Sequence, residues 1–148
     1  MLAGDQESLF DHVAHIKALG MKIVELGEGS GVMSIPYSKQ LIGNPQTGVV
    51  HGGVITSLLD TVSGVAVICS LDDLIPLATL DLRIDYMTAA TPGKTIFARA
   101  ECMHTTKSIA FVKGSAYHEA SDSPIATSVA TFMLKSGSVK KRKQTPQD

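Results

Sequence analysis

The residues best placed to do chemistry lie in one run, VVHGGVITSLLDTVSGVAV, spanning 49–67. It holds a histidine at 51, glycines at 52 and 53, and a single carboxylate, Asp60, among apolar neighbours. An ionised carboxylate buried without partners costs several kcal/mol. A chain that keeps one there either ties it to hydroxyls or uses it. On a helix, Asp60 shares its face with Thr56 and Ser57 one turn before and Ser63 and Gly64 one turn after, while Val54, Leu58, Leu59, Val62, Val65 and Ala66 cover the rest. That small, polar stripe is compatible with two roles for the acid: a partner of Ser and Thr hydroxyls that fixes how helices pair, or a base or nucleophile.

The glycines supply a second element of chemistry. If His51-Gly52-Gly53 starts a helix, its first backbone N–H groups have no intrahelical acceptor and carry the positive end of the dipole, and glycine lets a ligand come close to them. Such donors can hold a carbonyl oxygen as it becomes an oxyanion; a tight turn with nothing bound is the alternative. Gly52 and Asp60 are eight residues apart, about 12 Å of rise on one helix, so they cannot both touch one carbonyl. Two chains with antiparallel helices would bring Asp60 of one beside Gly52 of the other. The site then requires a homodimer with two equivalent pockets, and the small residues Thr56, Ser63 and Gly64 permit the approach.

The elements that must position this run follow from composition and patterning. With 148 residues, 44% of them hydrophobic, and a formal charge of -1, the chain has the size and polarity of one domain with a real core. That domain is expected over 1–137, with a basic, disordered tail at 138–148. No charged segment followed by an apolar one begins the chain, and no unbroken apolar run reaches about 18 residues. Neither export nor a membrane span is indicated, and a cytoplasmic location is expected. Near-neutral charge and the lack of tryptophan argue against a nucleic-acid surface; a small molecule is the better partner. Cys69 and Cys102 lack the spacing of a zinc or redox motif and read as buried reduced thiols. His12, His15, His104 and His118 are scattered, Met33, Met87, Met103 and Met133 read as core filler, and no G-x-S-x-G motif occurs.

Leu9, Val13 and Ile16, stopped by Gly20, predict a covering helix. MKIVELGEGSGVMSIPYS reads as a hairpin, IGNPQTG as a loop and 51–70 as a long helix. PLATLDLRIDYM, KTIFARAECMH, KSIAFVKGSAYHE and PIATSVATFMLK alternate with period two, bounded by turn signals at 91–93, 104–107 and 121–124, and predict a four-stranded meander. In the last three strands one face is almost entirely small: Ala98 and Ala100, then Ala110, Gly114 and Ala116, then Ala126, Ser128 and Ala130. Such a floor suits a helix lying in the hollow of a curved antiparallel sheet, and only the helix beginning near Gly52 is apolar enough to be enclosed.

This pattern resembles the hotdog-fold acyl-CoA thioesterases, in particular the PaaI-like, phenylacetate-degradation branch. The resemblance is carried by Asn44, Gly48, His51-Gly52-Gly53, Asp60 and the segment from Thr79-Leu80-Asp81 to Asp85-Tyr86-Met87 followed by TPG, and runs from about Ile42 to Lys135. It implies an α+β hotdog fold, a curved antiparallel β-sheet wrapped around a long central α-helix. It also implies acyl-CoA hydrolysis, with Asp60 as nucleophile or general base toward water and Gly52 as the amide that polarises the thioester carbonyl. By the same resemblance Asn44 positions substrate or water, His51 orients its loop, Thr79 brings a hydroxyl near the carboxylate, and Gly53 and Ser63 contact substrate. The implied assembly is a homodimer, often a dimer of dimers. Thioesters have weak resonance stabilisation and a good leaving group, so one carboxylate and one oxyanion donor suffice and no cofactor or metal is expected. Two other readings stand beside it: an acyl-thioester hydratase or dehydratase using His51, and a non-catalytic acyl-CoA-binding protein.

Overall fold

The computed structural model describes residues 10–120 and 123–135. Leu9, part of the SDSP segment and the basic tail lie outside them. Among the described residues the predicted covering helix is interrupted: Phe10 is helical, and Ala14–Leu19 form a separate helix (α1). A turn at 11–12 precedes it, and Val13 is its extended N-cap (φ -84°, ψ 106°) with a side chain that satisfies no helix N–H. The apolar spacing therefore crosses a turn, and of its described members Ile16 is buried while Val13 is exposed. Gly20 closes the helix in the left-handed region, as expected of a stop.

The hairpin is formed by Lys22–Gly27 (β1) and Ser30–Ile35 (β2). The predicted loop opens on a short strand, Ile42–Asn44 (β3), which pairs with Val49–Val50 (β4) just beyond the loop. There follow Gly52–Ser70 (α2), Leu77–Tyr86 (β5), Ile96–Thr105 (β6), Ile109–Tyr117 (β7) and Ala126–Leu134 (β8), inside the segments that periodicity marked except that β6 runs one residue further, to Thr105 in the predicted turn. Their order in space differs from a four-stranded meander. The six-stranded antiparallel sheet reads β1-β2-β6-β7-β8-β5: β6, β7 and β8 are a meander, the hairpin joins at β6, and β5 stands at the far edge beside β8. Alternation identifies a strand and its two faces but says nothing of its neighbour; here α2 carries the chain across the sheet and residues 87–95 carry it back.

The small-residue floor is as expected. Ala98, Ala100, Ala110, Ala116, Ala126 and Ala130 are all buried, and α2 lies over them with Leu58, Leu59, Val62, Val65 and Ala66 inward. Close approach is needed: a Cβ at Gly31 of β2 would sit 3.0 Å from Val65 Cγ1. α2 is long and apolar enough to cross a membrane, yet its apolar flank is the core. Each fully buried Leu or Val contributes roughly 1.5–3 kcal/mol over exposure.

The helix leans mainly on β2, β6 and β7, which leaves the inner face of β5 incompletely covered. In β5 the register slips between Thr79 and Asp81, so Leu80 bulges. Thr79, Leu82, Ile84 and Tyr86 then oppose Phe132, Ala130, Ser128 and Ala126, residues on the buried face of β8. Directly opposed residues share a face, so all four point toward α2. Leu82 and Ile84 are half-buried, and Thr79 and Tyr86 exposed.

Candidate active site

β4 runs directly into α2, and His51 is the junction. Its backbone is still extended (φ -57°, ψ 134°), and Nδ1 accepts the Gly53 N–H at 2.9 Å, the service an N-cap side chain performs. Its own N–H donates to the Leu41 carbonyl at 2.8 Å, and its carbonyl accepts the Val54 N–H at 3.0 Å. β3 presses on this junction so closely that a Cβ at Gly43 would lie 2.8 Å from His51 Cα. A ring nitrogen that accepts carries no proton, so the neutral imidazole keeps its proton on Nε2. His51 thus offers an N–H to its surroundings. Abstracting a proton from an acyl carbon, as a hydratase or dehydratase must, needs a free lone pair, so this geometry speaks against that reading.

With Gly53 committed to His51, the Gly52 N–H is left at the first position of α2, where no intrahelical acceptor exists. Among the described residues no side chain or backbone oxygen accepts from it, and Gly52 is exposed. Gly53, expected to contact substrate, is exposed, and its N–H is spent on the cap.

Two turns along the same face stands Asp60, half-buried. Thr79 of β5 donates its hydroxyl to Asp60 Oδ1 at 2.8 Å. Among the described residues nothing binds Oδ2 and no cation pairs with the carboxylate. The acid is thus oriented through one oxygen and free at the other, on a helix flank that the sheet does not cover.

Ser63 departs from its expected place on this stripe. It is fully buried and its Oγ has no partner among the described residues, so it belongs to the core and not to a substrate surface. At three residues past Asp60 it is rotated about 60° toward the sheet, and the lean of α2 carries that direction inside. Asn44 lies on the short β3–β4 hairpin, where its Oδ1 accepts the Gln46 N–H at 3.0 Å and its carbonyl the Gly48 N–H at 2.9 Å. Asn44 therefore closes its own loop. Gly48, in the left-handed region at φ 74°, is held there by the Tyr37 hydroxyl, which donates to its carbonyl at 2.8 Å.

Tyr86 is the site residue that patterning missed. Its Oη donates to the Gly52 carbonyl at 2.9 Å and also meets Thr56 Oγ1, so the end of β5 is tied to the start of α2. The sequence signal was there only as part of the DYM segment, with no face assigned.

Alternative chemistry finds less support. Burial pushes both the Cys69 and Cys102 thiols up, although hydrogen bonds from Ser70 and to His104 pull Cys102 the other way, and neither lies near Asp60 in the fold. Among the described residues no group of His, Cys, Asp and Glu is placed to hold a metal. A cavity of about 310 Å³ lies between α1 and the hairpin, lined by Phe10, Ile16, Met21, Ile23 and Met33. A second, of about 230 Å³, lies on the outer face of the sheet at Arg99, Glu101 and Lys113. Neither includes Asp60 or Gly52, which stand on an open face.

Comparison with known proteins matches the thioesterase superfamily over residues 47–125. A Pseudomonas aeruginosa protein of known crystal structure superposes with a TM-score of 0.78 at 41% identity, covering 86% of this chain and 94% of that one. Acyl-coenzyme A thioesterase PaaI of Escherichia coli is 30% identical over 100 residues, 68% of each chain. The crystal structure of that protein superposes with a TM-score of 0.79 over 93% of this chain and 95% of its own, at 21% identity, a likeness of fold. A putative esterase of Halobacterium salinarum is 32% identical over 87 residues, 57% of this chain and 58% of that protein's length.

Proposed function

The chain belongs to the thioesterase superfamily and has its hotdog fold, and from that premise we propose that it hydrolyses acyl-CoA to a free acid and a thiol, using Asp60 of one subunit and the Gly52 amide of another. The observation that carries the reading is the pairing of an oriented, half-free carboxylate with an unclaimed helix-terminal N–H on one exposed flank of α2. In the reaction, water adds to the thioester carbonyl as Asp60 takes its proton, or Asp60 itself adds and water later releases the acid. On either route the carbonyl oxygen gains negative charge and meets the Gly52 N–H; the C–S bond then breaks and the thiolate leaves, to be protonated. Thr79 holds Oδ1 and leaves Oδ2 to face the attacking water on the first route or the reacting carbon on the second.

The two halves of the site belong at opposite ends of β5. Thr79 is bound to Asp60 near its start, and Tyr86 is bound to Gly52 at its end. Among the described residues β5 pairs only with β8, so its other edge, ten residues long, is open. An open edge of that length is a template for another strand. Two copies joined antiparallel there, about a two-fold axis at Arg83, would set Thr79 of one chain opposite Tyr86 of its twin, because Leu80 is the extra residue of the bulge. Asp60 then faces Gly52 across the interface, which removes the about 12 Å separation along one helix.

A thiol-release assay over short, medium, long-chain and aromatic acyl-CoAs tests the function. We expect saturable release with kcat/KM of about 10⁴ M⁻¹s⁻¹ or more for the preferred acyl group. Tight acyl-CoA binding without release would instead establish a binding protein. Thr79→Val, which keeps the side-chain shape and removes the donor, is expected to lower kcat by about tenfold to a hundredfold, since a hydrogen bond to a charged group is worth about 1.5–3 kcal/mol. KM should stay within about twofold, because the hydroxyl serves the carboxylate and not the bound thioester.

A further inference from the structure

We infer that Tyr86 is a positioning residue that aims the Gly52 N–H, an inference that rests on the proposed thioester hydrolysis. Two consecutive glycines at a helix start are the residues least able to hold a fixed backbone, because each has the largest conformational freedom to lose. A donor that is to meet a developing oxyanion must nevertheless be fixed in advance. The structure answers this with side-chain clamps on the peptide unit between the two glycines. At one end of that unit the Gly53 N–H is held by His51 Nδ1 at 2.9 Å, and at the other the Gly52 carbonyl is held by Tyr86 Oη at 2.9 Å.

The adjoining unit, which carries the Gly52 N–H, is anchored as well. His51 donates to Leu41 at 2.8 Å and accepts from Val54 at 3.0 Å. Rotation about the Gly52 backbone bonds would break at least one of these contacts. Thr56, one turn into α2, closes the group: its Oγ1 lies 3.4 Å from the Gly52 carbonyl and meets the Tyr86 hydroxyl. The Tyr86 ring also flanks Gly52, with Cε1 at 3.7 Å from where a Cβ would stand. His51 is part of the chain's own junction, whereas Tyr86 comes from the far edge of the sheet. The clamp therefore ties the aim of the amide to the strand that also orients Asp60.

Tyr86→Phe removes the hydroxyl and keeps the ring. We expect kcat to fall about tenfold with KM within about twofold and the fold unchanged, the loss of a single well-aimed hydrogen bond. In a Gly52→Pro background, which has no N–H to aim, the same substitution is expected to change kcat by less than about twofold, since residues acting through one group are not additive. Amide exchange at Gly52 and Gly53, followed by NMR, should quicken in Tyr86→Phe. Equal losses in both backgrounds would mean that Tyr86 acts by another route, and a wild-type kcat in Tyr86→Phe would end the inference while leaving the hydrolase reading intact. Absence of hydrolysis by the wild-type chain would overturn both.

Discussion

Asp60→Asn is expected to leave a folded protein that releases thiol from acyl-CoA about a thousandfold more slowly than the wild type. The substitution changes almost nothing but basicity. Asparagine has the shape of aspartate, its amide oxygen can still accept the Thr79 hydroxyl that now reaches Oδ1 at 2.8 Å, and the half-buried position on α2 places no new group in the core. What is lost is the group proposed to accept a proton from water or attack the carbonyl, and general acid–base catalysis is worth about 10²–10⁴. The residual rate is the share that the oxyanion donor supplies alone. Thiol release read beside circular dichroism and size-exclusion elution separates chemistry from folding; undiminished turnover would make Asp60 a structural residue that merely satisfies Thr79.

Gly52→Pro carries the second large effect, because this position allows one N–H to be deleted and little else. Proline is favoured at the first residue of a helix, where its missing N–H has no intrahelical use. It also asks the preceding residue for ψ of about 120–160°, and His51 already has 134°. A Cβ at Gly52 would meet only the Tyr86 ring, at 3.7 Å or beyond. Loss of one oxyanion donor costs about 10²–10³ in kcat, so a fall of that size with near-wild-type stability is expected, while Gly52→Ala, which keeps the N–H, should retain most activity. Mixing makes the result sharper. Asp60→Asn and Gly52→Pro chains should each keep about 1% of wild-type activity or less, but in a mixed dimer of the proposed kind one of the two composite sites has both native groups. Random assembly should restore about a quarter of wild-type activity. If each site lay within one chain, mixing would restore nothing.

The sequence was most legible where burial imposes a period. The run from Gly52 to Ser70 and the four alternating strands are where their patterns put them, and the alanine and glycine face predicted the hollow that α2 fills. It was least legible where partners are far apart in the chain. Nothing in the alternation of β5 says that its neighbour is β8 rather than β6, since any strand with an apolar face fits either side. The site shows the same division. Asp60 and the glycines stand out because a charge and two flexible residues are anomalous in an apolar helix. Ser63 was misplaced because a helical wheel shows which residues cluster but not which way the helix leans. Asn44 turned out to serve its own hairpin, a local bond that competes with any role toward a ligand. Tyr86 keeps the phase of Leu82 and Ile84; what alternation could not show is that the start of α2 lies within reach of its hydroxyl.

That irregularity limits how β5 can vary in length. Thr79 and Tyr86 are seven positions apart, an odd count, and in an uninterrupted strand an odd count sends two side chains to opposite sides. The extra residue at Leu80 restores the phase, so that the group orienting the acid and the group aiming the amide project the same way. Losing Leu80 itself would keep both anchors in place. Losing any one residue between Asp81 and Asp85 would turn one of them outward and, in the proposed dimer, dismantle half of each composite centre, so insertions and deletions in that stretch are expected to be viable only in even numbers.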